Sequence, residues 1–212
     1  MLKLSPSSIN LFKDCPRCFW NHFNNKPRPA GIFPSLPSGM DKILKIHFDF
    51  FMEKQQLPPE LKQLKDYKLF DNKELLELWR NNFKGIQYTH NNVLIRGAVD
   101  NILVKGTKLV VLDYKTRGFP LKEDTHEHYI DQLNIYNFLL RKNNYQTEDY
   151  AYLLFYHPNK VLENGDFTFH AELIKIPINT DEAEILINEA IECLSKDQPE
   201  SDIDCEFCKY IL

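Results

Sequence analysis

Two acidic residues and a lysine lie on neighbouring strands of a predicted β-hairpin, and their side chains can do chemistry together. The runs Val93–Val104 and Lys108–Tyr114 are rich in β-branched residues and are separated by a glycine-containing turn. This pattern is typical of a hairpin. Asp100 lies on the first run and Asp113 on the second. Lys115 is the residue that follows the second run, two positions after Asp113.

The register of the hairpin decides whether these side chains meet. If the loop is the four residues 105–108, Asp100 lies opposite Asp113, with Cβ atoms roughly 5 Å apart. Lys115 then projects from the same face as Asp113, because side chains alternate along a strand. A three-residue loop would instead turn Asp113 to the other face.

Two converging carboxylates favour a hard, oxygen-seeking cation such as Mg²⁺ or Mn²⁺. An ammonium group beside that cation can orient a water molecule and offset the charge that builds on a phosphate during its transition state. The alternative is that Asp100, Asp113 and Lys115 are ordinary solvated residues near strand ends.

A helix after the hairpin carries a second polar pair. Tyr129, Gln132, Leu133 and Tyr136 recur at helical spacing and share one face. The Gln132 amide could orient a substrate or Lys115. The alternative is an amphipathic helix whose polar residues border its apolar stripe.

Four segments together resemble a known nuclease group. They are GAVD (97–100), LDYKT (112–116), QLNIY (132–136) and the opening LSPSSINLFKDCPRCFW (4–20). Their order and spacing resemble the RecB-like branch of the PD-(D/E)XK nuclease superfamily, including AddB-type and CRISPR-associated RecB-like exonuclease domains. The resemblance implies an α/β fold with a restriction-endonuclease-like core, a mixed β-sheet flanked by helices, in one domain over residues 1–212.

The resemblance also implies roles for individual residues. It makes Asp100 and Asp113 metal ligands, with the Tyr114 carbonyl as a further ligand. Lys115 would position or activate the attacking water. The catalytic set implied in this way is Asp100, Asp113, Lys115, Gln132 and Tyr136.

In such enzymes a histidine on an early helix often completes the metal site, four residues after a glycine. Here Gly39 is followed at that offset by Ile43, and His47 lies one helical turn further along. His47 is therefore the candidate ligand, and a histidine at the edge of the core is the alternative.

Two C-x-x-C pairs form a second candidate site. Cys15 with Cys18, and Cys205 with Cys208, have the spacing at which two thiolates share one metal. A metal shared by both pairs would staple residues 1–38 to residues 196–212. The alternative is that these four cysteines are free thiols without a metal. The fifth cysteine, Cys193, is expected to be a buried apolar residue.

Some RecB-like nucleases join their ends with a 4Fe–4S cluster held by one N-terminal and three C-terminal cysteines. This chain offers two and two, so Cys18 would have to replace the missing distal ligand. The four cysteines could therefore bind either a 4Fe–4S cluster or a structural zinc ion.

Local periodicity and capping patterns predict the elements that position these residues. The predicted order is α, α, α, β, β, α, β, β, α. The predicted helices are a first one from Ser5 toward Asn24, Met40–Lys54, a short one capped by Asp71 and Glu74, Asp124–Arg141 and 181–195. The predicted strands are the hairpin, 151–157 and 167–178, and residues 27–38 form a proline-rich loop.

Composition narrows the class of protein. A chain of 212 residues with 43% hydrophobic residues can form one well-cored domain. The net charge of −4 means that nucleic-acid contacts must come from a local basic patch. No apolar run is long enough for a membrane span, and the N-terminus lacks a signal-peptide core, so a cytoplasmic location is expected.

Several residues near the hairpin are candidates for contact with nucleic acid. Arg96, Arg117 and Lys122 could bind phosphates, and Phe119 and Tyr129 could stack on unpaired bases. Ordinary solubility and packing are the alternatives.

These observations predict a metal-dependent deoxyribonuclease, and the resemblance implies that it acts on single-stranded DNA or DNA ends. Repair, recombination and CRISPR spacer acquisition are the expected settings, with a helicase or a CRISPR adaptation protein as partner. The rival hypothesis is a catalytically silent module that keeps the nuclease fold and binds nucleic acid or protein. A zinc-stapled adaptor without a nucleic-acid role is a third.

Overall fold

The computed structural model describes residues 1–209, which form both strands and helices. The strands are β1 (Lys3–Leu4), β2 (Tyr67–Leu69), β3 (Ile86–His90), β4 (Val93–Gly97), β5 (Asn101–Lys105), β6 (Lys108–Thr116), β7 (Tyr150–Val161) and β8 (Phe167–Pro177). The α-helices are α1 (Pro6–Asp14), α2 (Pro16–Phe23), α3 (Ser35–Glu53), α4 (Lys73–Arg80), α5 (Ile130–Lys142), α6 (Thr180–Ser195) and α7 (Glu206–Lys209). Two 3₁₀ turns lie at Pro59–Leu61 and Thr125–Tyr129.

The strands form two mixed sheets. The larger has the order β2-β5-β6-β7-β8 and is antiparallel except between β6 and β7. The smaller has the order β1-β4-β3, with β1 parallel to β4. Helices flank both sheets, which confirms the predicted mixed α/β class. The strands are divided between two sheets, whereas the sequence predicted one.

The hairpin has the predicted register. Asn101 pairs with Leu112, so continuing the ladder by one residue places Asp100 opposite Asp113. The connecting turn is Gly106–Thr107, which is shorter than the predicted loop. Because the turn is shorter by one residue at each end, the register is unchanged.

The middle of the larger sheet is buried on both faces. Strand β6 reads as a nearly continuous apolar run, which is typical of a strand covered on both sides. The Tyr114 ring packs against Phe48 of α3, with ring centroids 4.6 Å apart. Lys115, on the opposite face, contacts Gln132 of α5. The two helices therefore cover opposite faces of β6.

The N-terminal helices differ in extent from the prediction. Ser5 caps α1 as predicted, in a reciprocal capping box with Ser8. The first helix then ends before Cys15, and Pro16 begins a second helix. A proline fits the first turn of a helix but not its interior. Helix α3 begins at Ser35, inside the predicted loop.

Two other helix starts were misplaced. Asn72, rather than Asp71, caps α4 by accepting a hydrogen bond from the backbone of Leu75. Asp124 makes no side-chain cap, and the turn Thr125–Tyr129 precedes α5. In both regions several polar residues could cap, and tertiary packing selects among them.

The predicted strand over residues 93–104 is two strands in different sheets. The chain leaves the smaller sheet after Gly97 and enters the larger one at Asn101. Strand β3 pairs with β4 and was not predicted. The strands β7 and β8 and the helix α6 confirm the predictions for the C-terminal half.

None of the helices within residues 1–209 combines the length and hydropathy that crossing a lipid bilayer requires.

Candidate active site

The two predicted acids lie side by side at the end of the hairpin. Asp100 Oδ2 accepts a hydrogen bond of 2.9 Å from the backbone N–H of Tyr114, which fixes its carboxylate against β6. Asp113 is 1% exposed, and its Oδ2 accepts no hydrogen bond of regular geometry, although the Lys115 ammonium forms an ion pair with it. The positive charge of Lys115 therefore neutralises this buried oxygen.

The electrostatics of the pair are those of two neighbouring acids on the largely buried wall of a cleft. Burial, followed by the negative charge of Asp113, raises the pKa of Asp100 to about 7, against the opposing effects of Lys45 and Lys115. Two close, desolvated carboxylates repel each other unless positive charge lies between or beside them. The donor set is all oxygen, which fits a divalent cation such as Mg²⁺ or Mn²⁺.

Lys115, Gln132 and Tyr136 form one hydrogen-bonded chain. Lys115 Nζ donates to Gln132 Oε1 at 3.1 Å, and Gln132 Nε2 donates to the Tyr136 hydroxyl at 2.6 Å. Burial lowers the pKa of Lys115, but the charges of Asp113 and Asp100 outweigh that effect, so the net shift is upward. Lys115 is therefore an ammonium group.

The backbone of Tyr114 faces the same acids. In an antiparallel ladder the N–H and C=O of one residue point to the same side of the strand. Since the Tyr114 N–H donates to Asp100, its carbonyl also points toward the Asp100 side of β6. This orientation is compatible with the predicted carbonyl ligand, which stays a prediction. The Tyr114 ring lies on the core side and its hydroxyl accepts a hydrogen bond from Asn101 at 2.7 Å.

Helix α3 contributes two residues that sequence reasoning missed. Lys45 Nζ lies 2.8 Å from Asp41 Oδ2 and 3.4 Å from Asp100 Oδ1. Asp41 and Lys45 are one helical turn apart, so they share a face. That spacing was visible in the sequence, but nothing local indicated that this face meets the acids.

His47 lies elsewhere, so its prediction as a metal ligand is not supported. Its Nε2 is 3.1 Å from Glu60 Oε1, and its ring packs edge-on against Phe51. Two residues along an α-helix turn the side chain by about 200°. Because Lys45 faces the acids, His47 faces away from them.

A cleft opens in front of the acids and is bordered by several polar residues. Its walls include the two acids, the chain from Lys115 to Tyr136, and Asp41 and Lys45 of α3. Ser5 and Ser7 at the start of α1, Asn82 and Arg96 also line it. Arg96 Nη1 donates to the Phe83 carbonyl at 3.0 Å, which steadies the guanidinium at the rim.

The two aromatic candidates for base stacking differ. Phe119 is 79% exposed and free to stack on a ligand. Tyr129 is already packed: its ring contacts Phe155, and Lys115 Nζ lies 4.7 Å from its centroid. Tyr129 therefore packs against Phe155 and Lys115, unlike the exposed ring of Phe119.

The four predicted cysteines meet at a second, separate site. The Sγ atoms of Cys15 and Cys208 are 3.5 Å apart, and Cys18 Sγ lies 3.6 Å from Cys205 Sγ and 3.8 Å from Cys208 Sγ. All four are buried, so this cluster could hold a metal. It joins the predicted N- and C-terminal segments, although residues 210–212 of the latter lie outside the described part. Cys193 is apart, near the Pro16 carbonyl.

The thiols of the cluster have shifted pKa values. Burial raises the pKa of Cys205, but the Cys208 backbone N–H and the neighbouring thiols outweigh it and lower the value to about 6. Burial and the neighbouring thiols raise the pKa of Cys208 to about 12. Arg28 Nη2 donates to Cys205 Sγ at 3.4 Å, which places a positive charge beside the cluster.

Comparisons with known proteins assign the chain to a family. A solved structure described as "Crystal structure of SSO0001" is similar over 99% of this chain and 84% of its own, at 15% identity and a TM-score of 0.46. No curated protein matches the chain. The model of the PD-(D/E)XK nuclease superfamily matches residues 40–211. That match spans most of the chain, which therefore belongs to the PD-(D/E)XK nuclease superfamily.

Proposed function

We propose that the chain is a Mg²⁺- or Mn²⁺-dependent deoxyribonuclease of the RecB-like branch, which hydrolyses phosphodiester bonds in single-stranded DNA or at DNA ends. Members of the superfamily are generally nucleases that use divalent metals, so the class of activity follows from membership. One observation carries the proposal: a buried carboxylate, Asp113, and a part-buried one, Asp100, lie beside an ammonium group that a glutamine holds in place.

Asp100, Asp113 and the Tyr114 carbonyl would hold the divalent cation. When bound, this cation supplies positive charge to the attacked phosphate and makes a nearby water more acidic. The Tyr114 N–H keeps the Asp100 carboxylate oriented, and burial keeps water from screening Asp113.

Lys115 would act through its positive charge. The charges of Asp113 and Asp100 raise its pKa, so the side chain is a positively charged ammonium group beside the two acids. It can donate hydrogen bonds to the attacking water or to a phosphate oxygen. Gln132 and Tyr136 restrict its position, so less conformational freedom is lost when the substrate binds.

The rim of the cleft suggests how DNA would lie. Arg96 could contact a phosphate next to the bond that is cut. Phe83 is 82% exposed and follows Asn82, which lines the cleft, so its ring is available to stack on an unpaired base. Exposed rings beside a basic residue favour single strands or frayed ends over an intact duplex.

The test is a cleavage assay with end-labelled single- and double-stranded DNA in the presence of Mn²⁺. We expect cleavage that stops when the metal is chelated, and Lys115→Ala should lower the rate about 10²–10³-fold. Lys68→Ala, on the exposed face of the edge strand β2, is the matched control and should cleave normally.

Binding of DNA without cleavage would instead support the catalytically silent module. Equal cleavage by the wild-type protein and by Lys115→Ala would contradict the proposed catalytic role of Lys115. A helicase or CRISPR adaptation partner, a cytoplasmic location and the single-domain division over residues 1–212 stay predictions from the sequence.

A further inference from the structure

We propose that the four cysteines bind a single zinc ion in tetrahedral coordination, in place of a 4Fe–4S cluster. The cysteine cluster (Cys15, Cys18, Cys205, Cys208) is separate from the cleft, so this inference does not depend on the nuclease activity. The distances between its sulfur atoms carry it.

Four thiolates around one zinc ion must lie close together. With Zn–S bonds of about 2.3 Å, the sulfurs at the corners of a regular tetrahedron are about 3.8 Å apart. The short separations in the cysteine cluster are 3.5, 3.6 and 3.8 Å, and all four sulfurs lie within 4.8 Å of one another. One ion therefore fits between them with little movement.

A 4Fe–4S cluster needs a wider cage. Each of its four thiolates binds a different iron at a corner of the cube, so the cysteine sulfurs are roughly 6 Å apart. Because all four sulfurs lie within 4.8 Å of one another, every pair in the cysteine cluster would have to separate to admit the cube. The cluster is fully buried at Cys15 and nearly so at Cys18, which leaves little room for that expansion.

The surroundings suit a four-thiolate zinc site, which carries a net charge of −2. The Cys18 backbone N–H points at Cys15 Sγ at 3.4 Å, within one C-x-x-C pair. Arg28 Nη2 donates to Cys205 Sγ, and its guanidinium lies 4.4 Å from the centroid of the Phe207 ring. Such outer contacts offset the charge and hold the ligands in place.

The closed coordination indicates a structural role. With four protein ligands no position is left for a substrate or a water, which is typical of zinc sites that stabilise a fold. The ion would fix the start of α2 to α7. It would also anchor the strap (residues 24–34), because Arg28 of this strap contacts Cys205 and the Phe207 ring of α7. That strap leads directly into α3, which carries Asp41 and Lys45.

Elemental analysis of the full chain tests the proposal. The protein is purified anaerobically from cells supplied with both iron and zinc. We expect about one zinc ion per chain and negligible iron and sulfide. The absorption spectrum should lack the broad band of an iron–sulfur cluster at about 400 nm. The spectrum should stay unchanged after an attempted reconstitution with iron and sulfide. Cobalt exchanged into the site should give the visible bands of tetrahedral four-thiolate coordination.

Variants identify the ligands. Cys18→Ser should lose the zinc, whereas Cys193→Ser, the matched control, should retain one zinc per chain. Iron in place of zinc, with or without sulfide, would overturn the proposal, and so would wild-type protein without metal. Retention of zinc by Cys18→Ser would equally exclude the four-cysteine site. The metal content of the wild-type protein distinguishes zinc from iron even if a cysteine variant fails to fold.

Discussion

At the scale of single residues, the acids of the cleft are held by different means. Asp100 is oriented by a backbone N–H, and Asp113 is neutralised by the Lys115 ammonium. The sequence predicted this convergence because strand register is fixed by the apolar pattern and the turn. It could not predict Lys45, because that contact depends on how α3 packs against the hairpin.

The Lys45 ammonium is expected to serve the substrate and not the metal. It lies 3.4 Å from Asp100 Oδ1, so it repels a cation there and attracts a phosphate. We predict that Lys45→Met lowers the cleavage rate about 10- to 100-fold, the size of a lost hydrogen bond to a charged group. Binding of Mn²⁺ should not weaken.

Separate measurement of cleavage rate and Mn²⁺ affinity checks this prediction. Lys42→Met, an exposed lysine on the same helix, is the control and should change neither quantity. A loss of metal affinity in Lys45→Met would show that Lys45 supports the cation site, contrary to the prediction.

The position of His47, away from the acids, has a geometric cause. The resemblance predicted a ligand on helix α3, but the histidine lies two residues beyond Lys45 and therefore on another face. A motif offset in one sequence does not fix the rotation of a helix about its axis. The packing of Phe48 against Tyr114 fixes that rotation here, and it is a tertiary contact.

At the scale of elements, the approach of β4 to α5 positions Tyr136. A Cβ atom added at Gly97 would lie 2.7 and 2.8 Å from two carbons of the Tyr136 ring. Contacts this short require the ring to move, and the ring is buried. The absence of a side chain at Gly97 therefore keeps Tyr136 within reach of Gln132.

We predict that Gly97→Ala destabilises the protein by about 1–3 kcal/mol and lowers cleavage, because overpacking displaces Tyr136 and loosens the link to Lys115. Thermal unfolding and the cleavage assay measure the two effects. Gly39→Ala is the matched control: it lies in α3 with open space around it and should be neutral or stabilising. Equal stability of both variants would contradict the close-approach argument.

The sequence predicted those elements whose boundaries are set by the local residue pattern. It missed those whose boundaries depend on which strands pair with each other. Strands β7 and β8 and helix α6 follow from periodicity, and Ser5 from its capping chemistry. The break after Gly97 was missed because the residues on either side have similar β propensity. Only the choice of partner strand separates β4 from β5, and that choice is made by the whole fold.

At the scale of the whole molecule, the cysteine cluster connects segments almost two hundred residues apart in sequence. The C-x-x-C spacing predicted this connection, but it could not distinguish a zinc ion from an iron–sulfur cluster. The distances between sulfur atoms supply that distinction, because they depend on the size of the group that the cysteines enclose.

Removal of the cluster's metal should destabilise the whole chain. Because ligand binding to the folded state contributes directly to folding, we predict that a strong chelator lowers the Tm by roughly 5–15 °C. Differential scanning calorimetry of wild-type and Cys193→Ser protein measures this change, and both should respond equally. An unchanged Tm after verified loss of metal would contradict a structural role.

The central claim, that Asp100 and Asp113 together hold a divalent cation, is tested most directly by titration calorimetry with Mn²⁺. We predict that the wild-type chain binds the ion and that Asp113→Asn weakens binding at least about 10-fold, because a neutral amide replaces a ligand charge. Asp71→Asn, an exposed acid before α4, should bind like the wild type. Unchanged Mn²⁺ affinity in Asp113→Asn would contradict the account.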